Sequence, residues 1–85
     1  MTQTLKNTSG NQIILTIDCR ELLPPEPLVR VLEALNVLEE NQTLRMLHRQ
    51  KPCLLFDKLD ERKLRYHLTE FEDGSIELDI WKDPA

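Results

Sequence analysis

The sequence predicts an α+β two-layer sandwich, in which two helices cover one face of a mixed four-stranded sheet. Two amphipathic stretches with helical spacing, four apolar or alternating runs and one Asp-Gly turn pair support this fold class. Their order along the chain is β-α-β-α-β-β. A strand-helix-strand unit forms a right-handed crossover, so the first two strands should be parallel. Helices that share one apolar face of a sheet give two layers.

The first strand and the first helix are predicted from two different apolar periods. QIILTID, residues 12–18, alternates, and Ile14 adds a second apolar face, which is typical of a buried strand. Apolar residues then recur at helical spacing over residues 25–39, so we expect a helix whose wide apolar face lies on the sheet.

The remaining elements follow from alternation and turn chemistry. We expect a strand over residues 43–49 and a second helix from Pro52, because proline suits the first helical position. Residues 64–72 and 75–82 alternate as one-sided strands, and Asp73-Gly74 favours a tight hairpin between them.

Length and composition indicate one small globular domain. The chain has 85 residues, of which 40% are hydrophobic and 31% charged. We expect a flexible N-terminus over residues 1–12 and a single domain over residues 13–82. The N-terminal residues lack the apolar segment of a signal peptide, and no apolar run approaches the roughly 20 residues of a membrane span. These features favour a cytoplasmic protein without membrane contact, either a monomer or a homodimer.

The proline-rich stretch PPEP, residues 24–27, fixes how the chain enters the first helix. Pro24 and Pro25 make the preceding residues extended. Pro25 fits the first helical position, and Pro27 falls in the first turn, where an amide would have no intrahelical acceptor. Glu26 complements the positive end of the helix dipole. A stiff helix start explains all four residues without any function.

The same stretch resembles the TusA/SirA family of small sulfur-transfer proteins. That family has the signature D-x-x-G-x-x-C-P-x-P, and this chain matches it at Asp18 and at Pro25-Glu26-Pro27. Thr43-Leu44 falls where the family has G-E-T-L. The resemblance extends over about residues 13–82 and implies the same β-α-β-α-β-β sandwich, with a place in sulfur-related or redox metabolism.

Three positions depart from the TusA/SirA signature. The persulfide-carrying cysteine of the family is replaced by Pro24, and its two glycines are replaced by Glu21 and Asn41. The chain is more similar to a branch of TusA-like domains of unknown function in which P-P-E-P replaces C-P-x-P. Because proline offers no nucleophile, this chain cannot carry sulfur at position 24.

Two cysteines remain as candidates for a sulfur carrier. Cys19 follows strand one and Cys53 opens helix two, so a parallel strand pair would bring both to the same edge of the sheet, where ligand sites gather in open α/β sheets. A helix N-terminus and basic neighbours promote thiol reactivity at Cys53. The alternative is that both are small, inert core residues.

A binding surface is predicted around the same edge. His48 ends strand two there and could act as a base, although a lone histidine at a strand end is more often a surface or capping group; His67 falls on the wetter face. The candidate surface residues are Arg20, Pro24, Pro25, Glu26, Pro27, His48, Arg49 and Lys51.

Charge is unevenly distributed. The net charge is −4, yet residues 45–65 hold seven basic against three acidic residues. This patch is either a solvated face or a site for an acidic partner. Only four aromatic residues are present and they do not alternate with the basic ones, which disfavours nucleic acid. The Cys and His spacings match no zinc pattern, so we expect no metal and no cofactor.

Three functional hypotheses follow. The first is a non-catalytic binding or adaptor module with a protein partner, in sulfur-related or redox metabolism by resemblance. The second is a sulfur carrier or sulfurtransferase accessory protein that uses Cys19 or Cys53. The third is a nucleic-acid or acidic-partner binder that uses the basic patch. Since the sequence shows neither a nucleophile-base pair nor a carboxylate pair, we assign no catalytic residue.

Overall fold

The computed structural model describes residues 13–83 and confirms the predicted order of elements. The predicted flexible segment 1–12 lies outside the described residues. The elements are β1 (Ile13–Asp18), α1 (Glu26–Asn36), β2 (Gln42–His48), α2 (Cys53–Glu61), β3 (Leu64–Glu70) and β4 (Ile76–Lys82). Neither α1 nor α2 is long and apolar enough to cross a lipid bilayer.

The four strands form one mixed sheet in the order β1-β2-β4-β3. β1 pairs with β2 in parallel, whereas β4 is antiparallel to both β2 and β3. Ile17, Met46 and Leu78 lie opposite one another across three strands. Because side chains of opposed residues share a face, this register sets one apolar row against the helices.

The core lies between that sheet face and the two helices. α1 packs mainly on β2 and α2 mainly on β3. Each helix fully buries only a narrow stripe. The face predicted to be wide on α1 is narrower than expected: Leu28, Leu32 and Ala34 are only partly buried beside the stripe, and Val29 is 46% exposed. The fully or almost fully buried apolar side chains are Cys19, Val31, Leu35, Leu38, Leu44, Met46, Leu55, Leu59, Ile76, Leu78 and Ile80. This arrangement confirms the predicted two-layer sandwich.

The prediction that the first strand is buried is wrong. β1 lies at the edge of the sheet, where Ile13 and Ile14 are 47% and 49% exposed and Leu15 is 39% exposed. Two apolar faces on one strand predict cover on both sides. The structure places β2 beside β1 on one side only, so its apolar side chains are left largely uncovered within residues 13–83.

Two element ends also differ from the prediction. α1 ends at Asn36 instead of residue 39, because Val37 and Leu38 leave the helix and Leu38 turns into the core. The β3–β4 connection is a five-residue loop over residues 71–75 instead of a two-residue turn. Gly74 still supplies the positive φ of 90°, and Asp73 accepts hydrogen bonds from the amide and hydroxyl of Ser75.

The neighbouring leucines of α2 test this core assignment. Leu55 is fully buried and Leu54 is 72% exposed. We expect Leu55→Ala to lower the free energy of unfolding by about 2–5 kcal/mol, because it removes buried methyl groups and leaves a cavity. Leu54→Ala should change it by no more than about 0.5 kcal/mol. Urea unfolding of both variants measures the difference, and equal losses would contradict the assigned helix face.

Candidate functional site

The parallel pairing of β1 with β2 brings two chain segments together at one edge of the sheet. The amide of Cys19, directly after β1, donates a hydrogen bond of 2.7 Å to the carbonyl of Leu47 on β2. The chain then runs through residues 20–25 into α1, while β2 ends at His48 and leads into α2. The starts of both helices therefore lie beside the carboxyl ends of β1 and β2, as predicted.

A cleft of about 270 Å³ opens between the two helix starts. We call it the proline cleft, because its walls include four prolines. Its lining is Pro24, Pro25, Pro27, Leu28, His48, Gln50, Lys51, Pro52, Cys53, Leu54 and Leu55. A side pocket of about 230 Å³ is lined by Leu22, Arg49 and three residues that also line the cleft, namely Pro24, His48 and Gln50.

The prolines shape the cleft from the α1 side. The peptide bond between Pro24 and Pro25 is cis, which the sequence did not predict. Pro25 is the N-cap of α1 instead of its first helical residue, so the helix begins one residue later than predicted, and Pro27 in the first turn is buried. The amide of Glu26 donates to the carbonyl of Leu23 at 2.9 Å, which closes the turn before the helix. These residues form a rigid, largely apolar wall.

The sequence predicts His48 as a surface or capping group, but the structure places it inside the protein. Its side chain is only 6% exposed, and its Nδ1 is buried with no hydrogen-bond partner among residues 13–83. It lines both the proline cleft and the side pocket. A buried polar atom without a partner costs free energy, so it usually has a role or an absent partner. His67, on the open face of the sheet, is exposed as predicted.

The two cysteines have different environments. Cys19 is fully buried in the core, and burial, followed by the nearby Asp18 carboxylate, raises the pKa of its thiol. That environment disfavours the reactive thiolate. Cys53 is exposed, opens α2 and lines the proline cleft. The structure therefore leaves Cys53 as the accessible thiol of the pair.

The structure brings together most of the other predicted surface residues. Lys51 lines the cleft and forms an ion pair of 3.0 Å with Glu70, and Arg49 lines the side pocket. Arg20 and Glu26 line neither cavity. Arg20 pairs with Asp18 at 2.7 Å, and Glu26 lies 3.9 Å from Arg30 one turn along α1.

Sequence reasoning missed five lining residues: Leu28, Gln50, Pro52, Leu54 and Leu55. Leu54 carried a usable signal, since it is a large apolar residue off the buried stripe of α2. The sequence gives no such signal for Leu28 or Leu55. Their helical spacing is that of core residues, and this spacing is the same whether or not a cleft lies beside them.

The basic patch of residues 45–65 does not form one cationic surface. Arg45 lies on the open face of the sheet, where Asp79 binds it with two contacts of 2.9 and 3.1 Å and Glu77 lies 3.3 Å away. Lys58 pairs with Glu61, and Arg65 pairs with Asp83. The partly buried carboxylates neutralise Arg45, which weakens the nucleic-acid hypothesis because a phosphate backbone needs free positive charge. The pairs of Lys58 and Arg65 are exposed and neutralise little charge.

Residues 13–83 contain no cluster of three or more His, Cys, Asp or Glu side chains that could hold a metal ion. The cleft offers instead one imidazole, one thiol, one ammonium group and the amides of two helix starts. Such groups bind and orient a ligand.

Comparison with known proteins gives a family but no characterised relative. Residues 16–82 match the family model described as "Uncharacterized conserved protein (DUF2249)". The chain belongs to this family. The match covers all six elements except the first residues of β1, and it includes every residue of the proline cleft. No curated protein and no solved structure matches the chain.

The ion pair between Asp18 and Arg20 should give the stability of the fold a pH dependence. Hydrogen bonds from the side chain and the amide of Arg20 lower the pKa of Asp18 from 3.8 to about 2. The pair therefore stabilises the fold fully above the unfolded pKa, and this stabilisation is lost as the pH falls through about 2. We expect Arg20→Gln to melt at a lower temperature than wild type at pH 6. The difference in melting temperature should disappear as the pH approaches 2. A difference that stays constant with pH would contradict the pairing.

Proposed function

We propose that this chain is a non-catalytic binding module that takes a small ligand in the proline cleft. The observation that carries the proposal is the buried Nδ1 of His48, which has no partner within residues 13–83 and belongs to a side chain that lines the cleft. A ligand would supply the missing hydrogen bond. As an adaptor, the module would present the occupied cleft to a protein partner. The TusA/SirA resemblance supports a role in sulfur-related or redox metabolism.

The lining has the composition of a ligand site. Such sites combine mostly apolar walls with a few polar groups that orient the ligand, and they occupy about 300–1,000 Å³. The proline cleft, at about 270 Å³, is slightly smaller than that range. Its apolar walls come from prolines and leucines of both helix starts, and its polar groups are those of His48, Gln50, Lys51 and Cys53. A ligand of few heavy atoms fits these dimensions.

A small-fragment screen by amide NMR tests the proposal. We expect fragments to shift the amide signals of Leu28, Lys51 and Leu54 in the wild-type protein. Leu54→Ser should weaken fragment binding by roughly 3- to 10-fold, because it removes exposed apolar surface from the cleft wall.

Val37→Ser is the matched control, since Val37 is 75% exposed and Leu54 72%, and Val37 follows the far end of α1. It should bind fragments like wild type. A screen in which no fragment shifts the cleft amides would overturn the proposal, and so would equal losses in the two variants.

A sulfur carrier is the second candidate, and the exposure of Cys53 within the cleft favours it. If it is correct, a persulfide donor should add one sulfur atom to wild-type protein and to Cys19→Ser, but not to Cys53→Ser. Cys19 should resist the donor until the protein is unfolded, because it is fully buried. Intact-protein mass spectrometry measures the gain. No gain on native protein would exclude the carrier and leave the binding module unaffected.

A further inference from the structure

We infer that the ligand of the proline cleft is a small organic anion, in which one anionic oxygen group is attached to a short apolar body. The inference rests on the proposed function and adds the ligand's chemical class. It is carried by two helix N-termini and one buried, unpartnered imidazole that meet in a cleft without any acidic lining residue.

Both helices begin without a side-chain cap. Their N-caps are Pro25 for α1 and Pro52 for α2, and neither makes a side-chain hydrogen bond. The first amides of a helix have no intrahelical acceptor, and the helix dipole concentrates positive potential there. An uncapped helix start is therefore a site where an anion can accept hydrogen bonds.

Two helix-start amides without a hydrogen-bond acceptor in the described part of the chain belong to residues that line the cleft. Loop carbonyls accept from the amides of Glu26, Cys53 and Leu55. The amides of Leu28 on α1 and Leu54 on α2 have no such backbone acceptor within residues 13–83, and both residues line the cleft. Each helix thus has one free amide donor on a residue that lines the cleft.

His48 is the independent observation that points to a ligand. Its side chain is 94% removed from solvent, given its exposure of 6%, and its Nδ1 is unpartnered within the described chain. Nδ1 of a neutral imidazole is either a donor or an acceptor. As an N–H donor it would complement the same anionic oxygen that the helix amides bind.

The charges around the cleft favour an anion. Lys51 lines the cleft and Arg49 lines the side pocket that shares His48. The nearest acid shown by an ion pair is Glu70, which lies 3.0 Å from the Lys51 ammonium group. Both members of that pair are about half exposed, so Lys51 can exchange this partner for a ligand at little cost.

The apolar walls argue against a bare inorganic anion. Pro27, Leu28 and Leu54 line the cleft at the helix starts, and Leu54 is 72% exposed. A short apolar body would cover this surface, at roughly 25 cal/mol per Å² of apolar area buried. An inorganic ion would leave it in water.

Three probes separate these contributions: hexanoate and 1-hexanol, which have six-carbon chains of matched length, and inorganic phosphate, each titrated into the protein and followed by amide NMR. We expect hexanoate to shift the Leu28 and Leu54 amides and to bind at least about tenfold more tightly than 1-hexanol or phosphate. Equal binding of hexanoate and 1-hexanol would overturn the anion inference while leaving the proposed function intact. Phosphate binding as tight as hexanoate would overturn the apolar body.

Two variants test the assigned groups. Lys51→Gln should lower hexanoate affinity about 3- to 10-fold, whereas Lys58→Gln should not, although both lysines are about half exposed and paired with a glutamate. His48→Phe keeps a ring and removes both nitrogens, so it should weaken hexanoate binding without affecting 1-hexanol. Equal effects of the two lysine variants would overturn the inference even if the His48 variant does not fold.

Discussion

The proline cleft depends on the parallel pairing of β1 with β2. Parallel neighbours end at the same edge of a sheet, so the chain leaves both strands on the same side and must start both helices there. The hydrogen bond from Cys19 to Leu47 extends the pairing one residue beyond β1 and holds the following loop against β2. An antiparallel pair would have separated the two helix starts by the length of a strand. The site is thus a consequence of topology before any side chain is considered.

The open face of the sheet and the proline cleft differ in how completely their polar groups are paired. The core between sheet and helices is apolar, and on the open face Arg45 is held by two carboxylates. At the cleft, by contrast, prolines occupy both N-cap positions and a buried imidazole nitrogen lacks a partner within residues 13–83. Stable proteins tolerate such incomplete groups mainly where function requires them. This contrast, more than cavity size, is the reason that we propose the cleft as the functional surface.

Local sequence patterns predicted the helices and strands. They did not predict which strand lies at the sheet edge or which residues line the cleft, because long-range packing decides both. Alternation correctly assigned Ile76, Leu78 and Ile80 to the core, because their strand is central and one-sided. The same reasoning failed for Ile14, since nothing local indicates that its strand lies at the sheet edge. It failed for His48 because residues that line the cleft with it, such as Pro24, are far away in sequence. The candidate site was therefore predicted in location and only partly in composition.

Enclosure of His48 by the proline wall is the central claim, and His67 provides an internal control. Diethyl pyrocarbonate modifies accessible imidazoles, and peptide mapping by mass spectrometry gives the rate at each histidine. His48 is 6% exposed and His67 lies on the open sheet face, so the account predicts that His67 reacts rapidly and His48 much more slowly, because the reagent reaches the His48 ring only through the cleft. Equal rates at both histidines in the native protein would show that His48 is not enclosed and would contradict the cleft.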